Sequence, residues 1–261
     1  IDEDWCRLFR NYSFLVGLSL DGPQDVHDAV RHTPGGRGTW DTVMASAERM
    51  RRHQVEFNIL CVVHAGNVGM GADLLRWFVQ QGFSCVQFIP CMEPDMPHSV
   101  PPDAFGQFLC DTFDYYAHEF GKVSVRDFDA MVTARLGSPG GLCTYGRACN
   151  SYLVVEHSGD VYPCDFFVRP EWKLGNVTET PLDSFLESAA YKAFAKRKDS
   201  VALCRKCEWR AMCHGGCQKD RLVHGSVEEP TVFCEAYQQF FKHATPMIER
   251  LAKRLQRRTP R

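Results

Sequence analysis

CRKCEWRAMCHGGC, residues 204–217, places four thiols in one short segment, separated by two, five and three positions. Outward from it, Cys143, Cys149 and Cys164 lie upstream and Cys234 downstream, so eight of the thirteen cysteines fall in the second half of the chain. The N-terminal IDEDWCRLFRNY is acidic and amphipathic, unlike a signal peptide. No apolar run approaches the ~18 residues of a membrane span. An odd cysteine count without an export signal points to a reducing cytoplasm, where clustered thiols serve metals or catalysis rather than disulfides. A net charge of -2 over 261 residues gives no field that would draw the chain to nucleic acid or membranes. The basic KRLQRRTPR at the end reads as a solvated helix terminus, with a weak electrostatic tether as the alternative.

Upstream of the cysteine cluster the pattern is different. FLVGLSLDG (14–22), VEFNILCVV (55–63) and CVQFIPC (85–91) are short apolar runs that read as buried strands. Between them, WDTVMASAERMRRH and ADLLRWFVQQG carry helical spacing, with Thr39 and Asn67 as N-cap candidates and Gly82 as a C-terminal stop. Strands alternating with helices at these intervals predict a parallel sheet with right-handed crossovers. A proline-rich stretch, PDMPHSVPPD, precedes an aromatic-rich helix from Asp103 and a second over about 128–136. SPGG at 138–141 punctuates the chain, and the domain boundary is expected there, giving units of 1–137 and 138–261. PGGRG at 34–38 is not a phosphate loop, since no Lys-Ser/Thr follows.

In the second unit SYLVVEHSGDVYPCDF predicts a β-hairpin turning at residues 157–160, TPLDSFLESAAYKAF two short helices, and the segment from Cys234 a final helix. Eight thiols are two sets of four, the number that usually holds an iron–sulfur cluster or a zinc ion. Glycines 140, 141, 146, 215 and 216 crowd the cluster and allow close backbone approach. Only Cys204 and Cys207 form a CxxC knuckle; Cys143 and Cys149 are too far apart for one. Spacing alone leaves iron–sulfur and zinc level. The other cysteines, Cys6, Cys61, Cys85, Cys91 and Cys110, sit among apolar residues and read as buried small hydrophobes.

CTYGRACNSYLVVEHSGDVYPCDF, CRKCEWRAMCHGGC and FCEAYQQFF together resemble the SPASM domain of radical S-adenosylmethionine enzymes. FLVGLSLDGPQDVHDAVR, VEFNILCVVH and CVQFIPC are similar to strands four to six of the radical-enzyme barrel, and the chain looks most like the anaerobic sulfatase-maturating enzymes. The resemblance implies an α/β fold: a partial (β/α) barrel of about three parallel strands, then a cysteine-rich domain with a β-hairpin and short helices. It implies oxidation of a Cys or Ser in a sulfatase to formylglycine, with a protein or peptide substrate and an electron-transfer partner. It also implies two auxiliary 4Fe-4S clusters, one on Cys143, Cys149, Cys164 and Cys217, the other on Cys204, Cys207, Cys213 and Cys234. Asp165 stands at the position of the family's proposed acid/base; the alternative is that it caps the hairpin or pairs with Arg169. Ser19 and Asp21, at a strand end, stand where S-adenosylmethionine would be contacted; the alternative is a simple strand-ending turn. His27 and Arg31 read as surface or substrate contacts.

The departure from the family pattern is the missing CxxxCxxC motif, which holds the radical cluster and occurs nowhere in these 261 residues. S-adenosylmethionine and a third cluster are therefore expected only in a complete enzyme, and the chain by itself is expected to be inactive. The alternatives are another SPASM peptide modifier, such as a thioether-forming enzyme, or a non-enzymatic zinc or iron–sulfur module.

Overall fold

Residues 1–93, 97–137 and 141–258 are described by the computed structural model. Helix α1 (Glu3–Asn11), capped by the Asp2 carboxylate, leads into strand β1 (Leu15–Ser19). Short α2 (Gln24–Asp28) and α3 (Trp40–Arg52) cross over to β2 (Glu56–Val63). Helix α4 (Gly71–Gln80) crosses over to β3 (Cys85–Pro90). The strands pair in parallel, Gly17 opposite Asn58 and Leu60 opposite Gln87, as the alternation of apolar runs and helices predicts. Helix α5 (Pro102–His118) then returns to β4 (Ser124–Val125), and α6 (Arg126–Arg135) follows. β4 extends the sheet to the order β1-β2-β3-β4. Two residues are too few to show a period, so this strand is not legible in the sequence. Phe14 and Leu15 stay exposed at the β1 edge, which has no further strand beside it among the described residues.

Two helix caps differ from expectation. Thr39 makes no side-chain cap; the Asp28 carboxylate accepts from both Thr39 N (2.8 Å) and Trp40 N (2.9 Å). A carboxylate satisfies two orphan amides where one hydroxyl serves a single amide. Asn67 does not cap α4 directly. It precedes a one-turn 3-10 segment, Val68–Met70, and its side chain bridges His64 N and the Val62 carbonyl.

The second unit begins with a hairpin, β5 (Val154–Val155) and β6 (Asp160–Tyr162), joined by β7 (Gly175–Asn176) in an antiparallel sheet. Short helices follow: α7 (Leu182–Glu187), α8 (Ala189–Lys196), α9 (Arg210–Cys213) and α10 (Gln218–Arg221). The last helix, α11 (Cys234–Arg258), leaves the cysteine-rich region and packs back on α5. Phe113 and Phe128 meet Phe240, and Phe105 meets Phe233, within one continuous buried cluster. The core therefore crosses from one unit to the other, which holds the cysteine-rich segment against one face of the sheet. The expected boundary at 138, and the first three residues of PDMPHSVPPD (94–96), lie outside the described residues.

Candidate metal centres and active site

One tight turn sorts the thiols. After Cys213 ends α9, His214, Gly215 and Gly216 all take left-handed backbone (φ 47°, 79° and 67°), and the chain reverses. A Cβ on Gly215 would lie 2.4 Å from Arg221 Nη2, so both the dihedral and the space demand glycine there. Because of this reversal Cys213 and Cys217 face different hollows. Cys217 joins Cys143, Cys149 and Cys164 in lining a cavity of about 530 Å³. Cys213 lines a second, smaller hollow with Cys204, Cys207 and Cys234. These groupings coincide with the two tetrads that the resemblance implies.

The larger cavity lies between the units. Asn58, Leu60, Gln87, Ile89 and Pro90 of the parallel sheet form one wall, and Cys164, Asp165 and Tyr152 of the hairpin region form another. All thirteen cysteines are free thiols. Burial pushes Cys164 up to about 12 and Cys213 to about 11, so without a metal they carry protons at neutral pH.

Two buried cations bear on what the tetrads suit. Lys198 is 2% exposed and donates to the carbonyls of Cys143 and Thr144 (2.7 Å to the latter). Arg221 is fully buried and donates to the carbonyls of Gly215 (3.1 Å), Lys198 (2.8 Å) and Val227 (3.2 Å). Neither pairs with a carboxylate among the described residues. A buried charge without a counter-charge costs several kcal/mol. The groups within reach that could become anions are the tetrad sulfurs: burial lowers the Lys198 ammonium, while Cys149, Cys143 and Cys217 work the other way. Four thiolates on an iron–sulfur core leave a net negative group, which would complete this charge balance. A lone zinc ion needs its ligands about 2.0–2.3 Å from one point. Among the described residues no group of three His, Cys, Asp or Glu side chains is arranged to hold a single metal ion.

Asp165 opens the 3-10 turn Asp165–Phe167 and lines the larger cavity. It does not pair with Arg169; its Oδ1 accepts from the Tyr152 hydroxyl (3.1 Å) and lies 3.3 Å from Cys164 Sγ. Burial, then the neighbouring Cys143, Cys164 and Asp165, raise the Tyr152 hydroxyl above its ordinary pKa, which keeps it a donor.

The two residues at the end of β1 diverge. Ser19 is exposed, whereas Asp21 is 1% exposed and engaged at both oxygens, by Arg31 and by Val62 N (2.8 Å). Neither lines the thiol cavity. His27 is not a surface residue: it is fully buried, its Nδ1 accepting from Asp21 N (3.2 Å). Asp21, His27 and Arg31 together tie down the rim of the sheet.

Sequence reasoning missed Lys198, Arg221 and Tyr152. Lys198 and Arg221 sit among many surface cations and have no distinguishing pattern. Tyr152 lay on a predicted hairpin strand, but its place across from Cys164 follows from the observed pairing of Val154 with Tyr162, one residue off the register that a turn at 157–160 would give. Asp127 was also missed. Its Oδ2 is buried without a partner among the described residues, and burial, opposed by a hydrogen bond from Tyr145, pushes the carboxyl up to about 7.

Fold and site together define a parallel α/β unit joined to a cysteine-rich domain with two thiol tetrads. The SPASM family, an iron-sulfur cluster-binding domain, matches residues 143–208. A cysteine-type anaerobic sulfatase-maturating enzyme of Clostridium perfringens is 33% identical over 98% of this chain and 72% of its own length. A serine-type enzyme of Bacteroides thetaiotaomicron is 31% identical over 98% of this chain and 68% of its own. The structure of native anSMEcpe with bound AdoMet and Kp18Cys peptide superposes with a TM-score of 0.90 at 33% identity, over 97% of this chain and 73% of that one. Streptococcus suis SuiB, at 16% identity and a TM-score of 0.57, shares the fold. The chain belongs to the anaerobic sulfatase-maturating enzymes, which are radical S-adenosylmethionine enzymes with a SPASM domain.

Proposed function

We propose that this chain carries the auxiliary-cluster part and the base of an enzyme that oxidises a Cys or Ser of a sulfatase to formylglycine. The observation that carries the reading is one cavity shared by Asp165, a thiol tetrad and one face of the parallel sheet. The solved relative with bound AdoMet and a Cys peptide supports a peptide substrate.

Removal of one hydrogen atom, one proton and one electron turns a CH2–XH side chain into CH=X. With X oxygen this is the aldehyde; with X sulfur, water replaces sulfur and hydrogen sulfide leaves. Asp165 accepts the proton, within hydrogen-bond reach of a side chain bound in the cavity. Cys143, Cys149, Cys164 and Cys217 would hold one 4Fe-4S cluster, and Cys204, Cys207, Cys213 and Cys234 a second. When bound, these clusters would supply electron-accepting chemistry, and an electron-transfer partner would complete the oxidation. S-adenosylmethionine, for which Ser19 is the candidate contact, and a third cluster complete the hydrogen-abstracting machinery. Asp21 serves that end indirectly, by fixing the rim beside Ser19. Reduced thiols suit a cytoplasmic setting, and no helix among the described residues is long and apolar enough to cross a membrane.

The test is Asp165→Asn in the complete, cluster-loaded protein, assayed on a sulfatase peptide containing the target Cys or Ser. Iron content should stay at the wild-type level while turnover falls by about 10²-fold or more. Undiminished turnover would remove Asp165 from the reaction.

A further inference from the structure

The hairpin that delivers Cys164 also delivers a second side chain to the base. Val154 pairs with Tyr162 in the antiparallel register. Two residues further out along both strands, Tyr152 comes to lie across from Cys164. The result is a compact constellation on one cavity wall. Tyr152 Oη is 3.1 Å from Asp165 Oδ1, 3.8 Å from Cys164 Sγ and 4.0 Å from Cys143 Sγ. The Tyr152 backbone is itself held, since the hydroxyl of buried Tyr191 donates to its carbonyl at 3.0 Å.

A phenol has one proton to donate. The nearest acceptor is the Asp165 carboxylate, and a bond at 3.1 Å outweighs sulfur contacts of 3.8 and 4.0 Å at the limit of hydrogen-bond distance. Asp165 follows Cys164 on a one-turn segment and is exposed to the cavity, so little else restrains its side chain. Oδ1 takes the bond from Tyr152, and among the described residues Oδ2 accepts none.

We propose that Tyr152 is the positioning residue of the base: its hydroxyl fixes Oδ1 of Asp165 against the Cys143/Cys164 side of the cavity and thereby presents Oδ2 to the bound substrate. The inference rests on the reading of Asp165 as the proton acceptor. The physical need is specific. A carboxylate free to rotate about its side-chain bonds spends part of its time facing away from the substrate. A misplacement of the order of 1 Å costs up to about 10²-fold in rate. Tyr152 supplies orientation without touching the reacting bond, which separates its signature from that of the base.

The experiment compares Tyr152→Phe, Asp165→Asn and the double variant in the complete, cluster-loaded protein, using a Cys-containing sulfatase peptide. Tyr152→Phe retains the ring that packs in the cavity wall and removes only the hydroxyl. Its iron content and peptide KM should remain within about threefold of wild type, while kcat falls by about tenfold or more. In the Asp165→Asn background, Tyr152→Phe should cost nothing further, because the two act as one unit. A crystal structure of Tyr152→Phe should show the Asp165 carboxylate turned from its position beside Cys143 and Cys164, a readout independent of turnover. If Asp165→Asn is inactive while Tyr152→Phe has wild-type kcat and an unmoved carboxylate, the inference about Tyr152 is wrong and the reading of Asp165 stands. Fully active Asp165→Asn overturns both. Additive losses in the double variant, or loss of iron from Tyr152→Phe, assign Tyr152 to structure and overturn its role in positioning.

Discussion

Replacing Lys198 with methionine removes a buried positive charge and keeps the aliphatic stem. The ammonium donates to the carbonyl of Cys143 itself and interacts with Cys149, Cys143 and Cys217, three members of the first tetrad. It has no carboxylate partner among the described residues, so its field acts on the tetrad uncompensated. Two unit charges roughly 8 Å apart at an effective dielectric of about 20 interact by about 2 kcal/mol. For a one-electron couple that is about 90 mV. Losing a cation disfavours the extra electron, so the first cluster should become harder to reduce by a shift on that order. The assay is an anaerobic redox titration of the complete protein, followed by electron paramagnetic resonance, with iron content measured alongside. The second cluster should move less, since Lys198 donates to the carbonyls beside the first tetrad and of the second tetrad its charge acts on Cys213. With iron content unchanged, a potential for the first cluster within about 20 mV of wild type would refute the argument that Lys198 is its counter-charge.

Two further predictions follow from the same geometry. Gly215→Ala forces a Cβ into left-handed backbone and to 2.4 Å from Arg221 Nη2. It should lower stability by about 1–2 kcal/mol from the backbone alone, with more from displacing the guanidinium; an unchanged denaturation midpoint would contradict it. Asp127 is held up to about 7 in the folded protein, against an ordinary value near 3.8. Between those two values the folded state keeps a proton that the unfolded state releases, so this group makes stability fall as pH rises, by up to about 1.4 kcal/mol per pH unit. Asp127→Asn should flatten that slope between about pH 4 and pH 7, as read from denaturation midpoints across pH; an unaltered slope would show that Asp127 is not its source.

Much of this was legible from patterns set by physics at short range. Three apolar runs separated by helices yield a parallel sheet because covered strands have no polar face to expose. The cysteine spacing implied two sets of four, and the resemblance apportioned them as the cavities do. What the sequence concealed depends on distant encounters. Asp28 caps α3 from an earlier loop, which local capping rules miss. Lys198 and Arg221 look like surface cations until the fold buries them beside the thiols. Asp21 looked like an open strand-end ligand, yet Arg31, ten residues on, closes over it. Tyr152 lies between these cases, since the hairpin that carries it was visible but its register opposite Cys164 was not.

The central claim is tested most directly by X-ray diffraction from crystals of the complete, anaerobically prepared protein, recorded on either side of the iron absorption edge. Iron anomalous density should fill the space enclosed by Cys143, Cys149, Cys164 and Cys217, and separately that enclosed by Cys204, Cys207, Cys213 and Cys234. A signal at the zinc edge instead, or tetrads empty of iron in a preparation that oxidises its peptide, would contradict it.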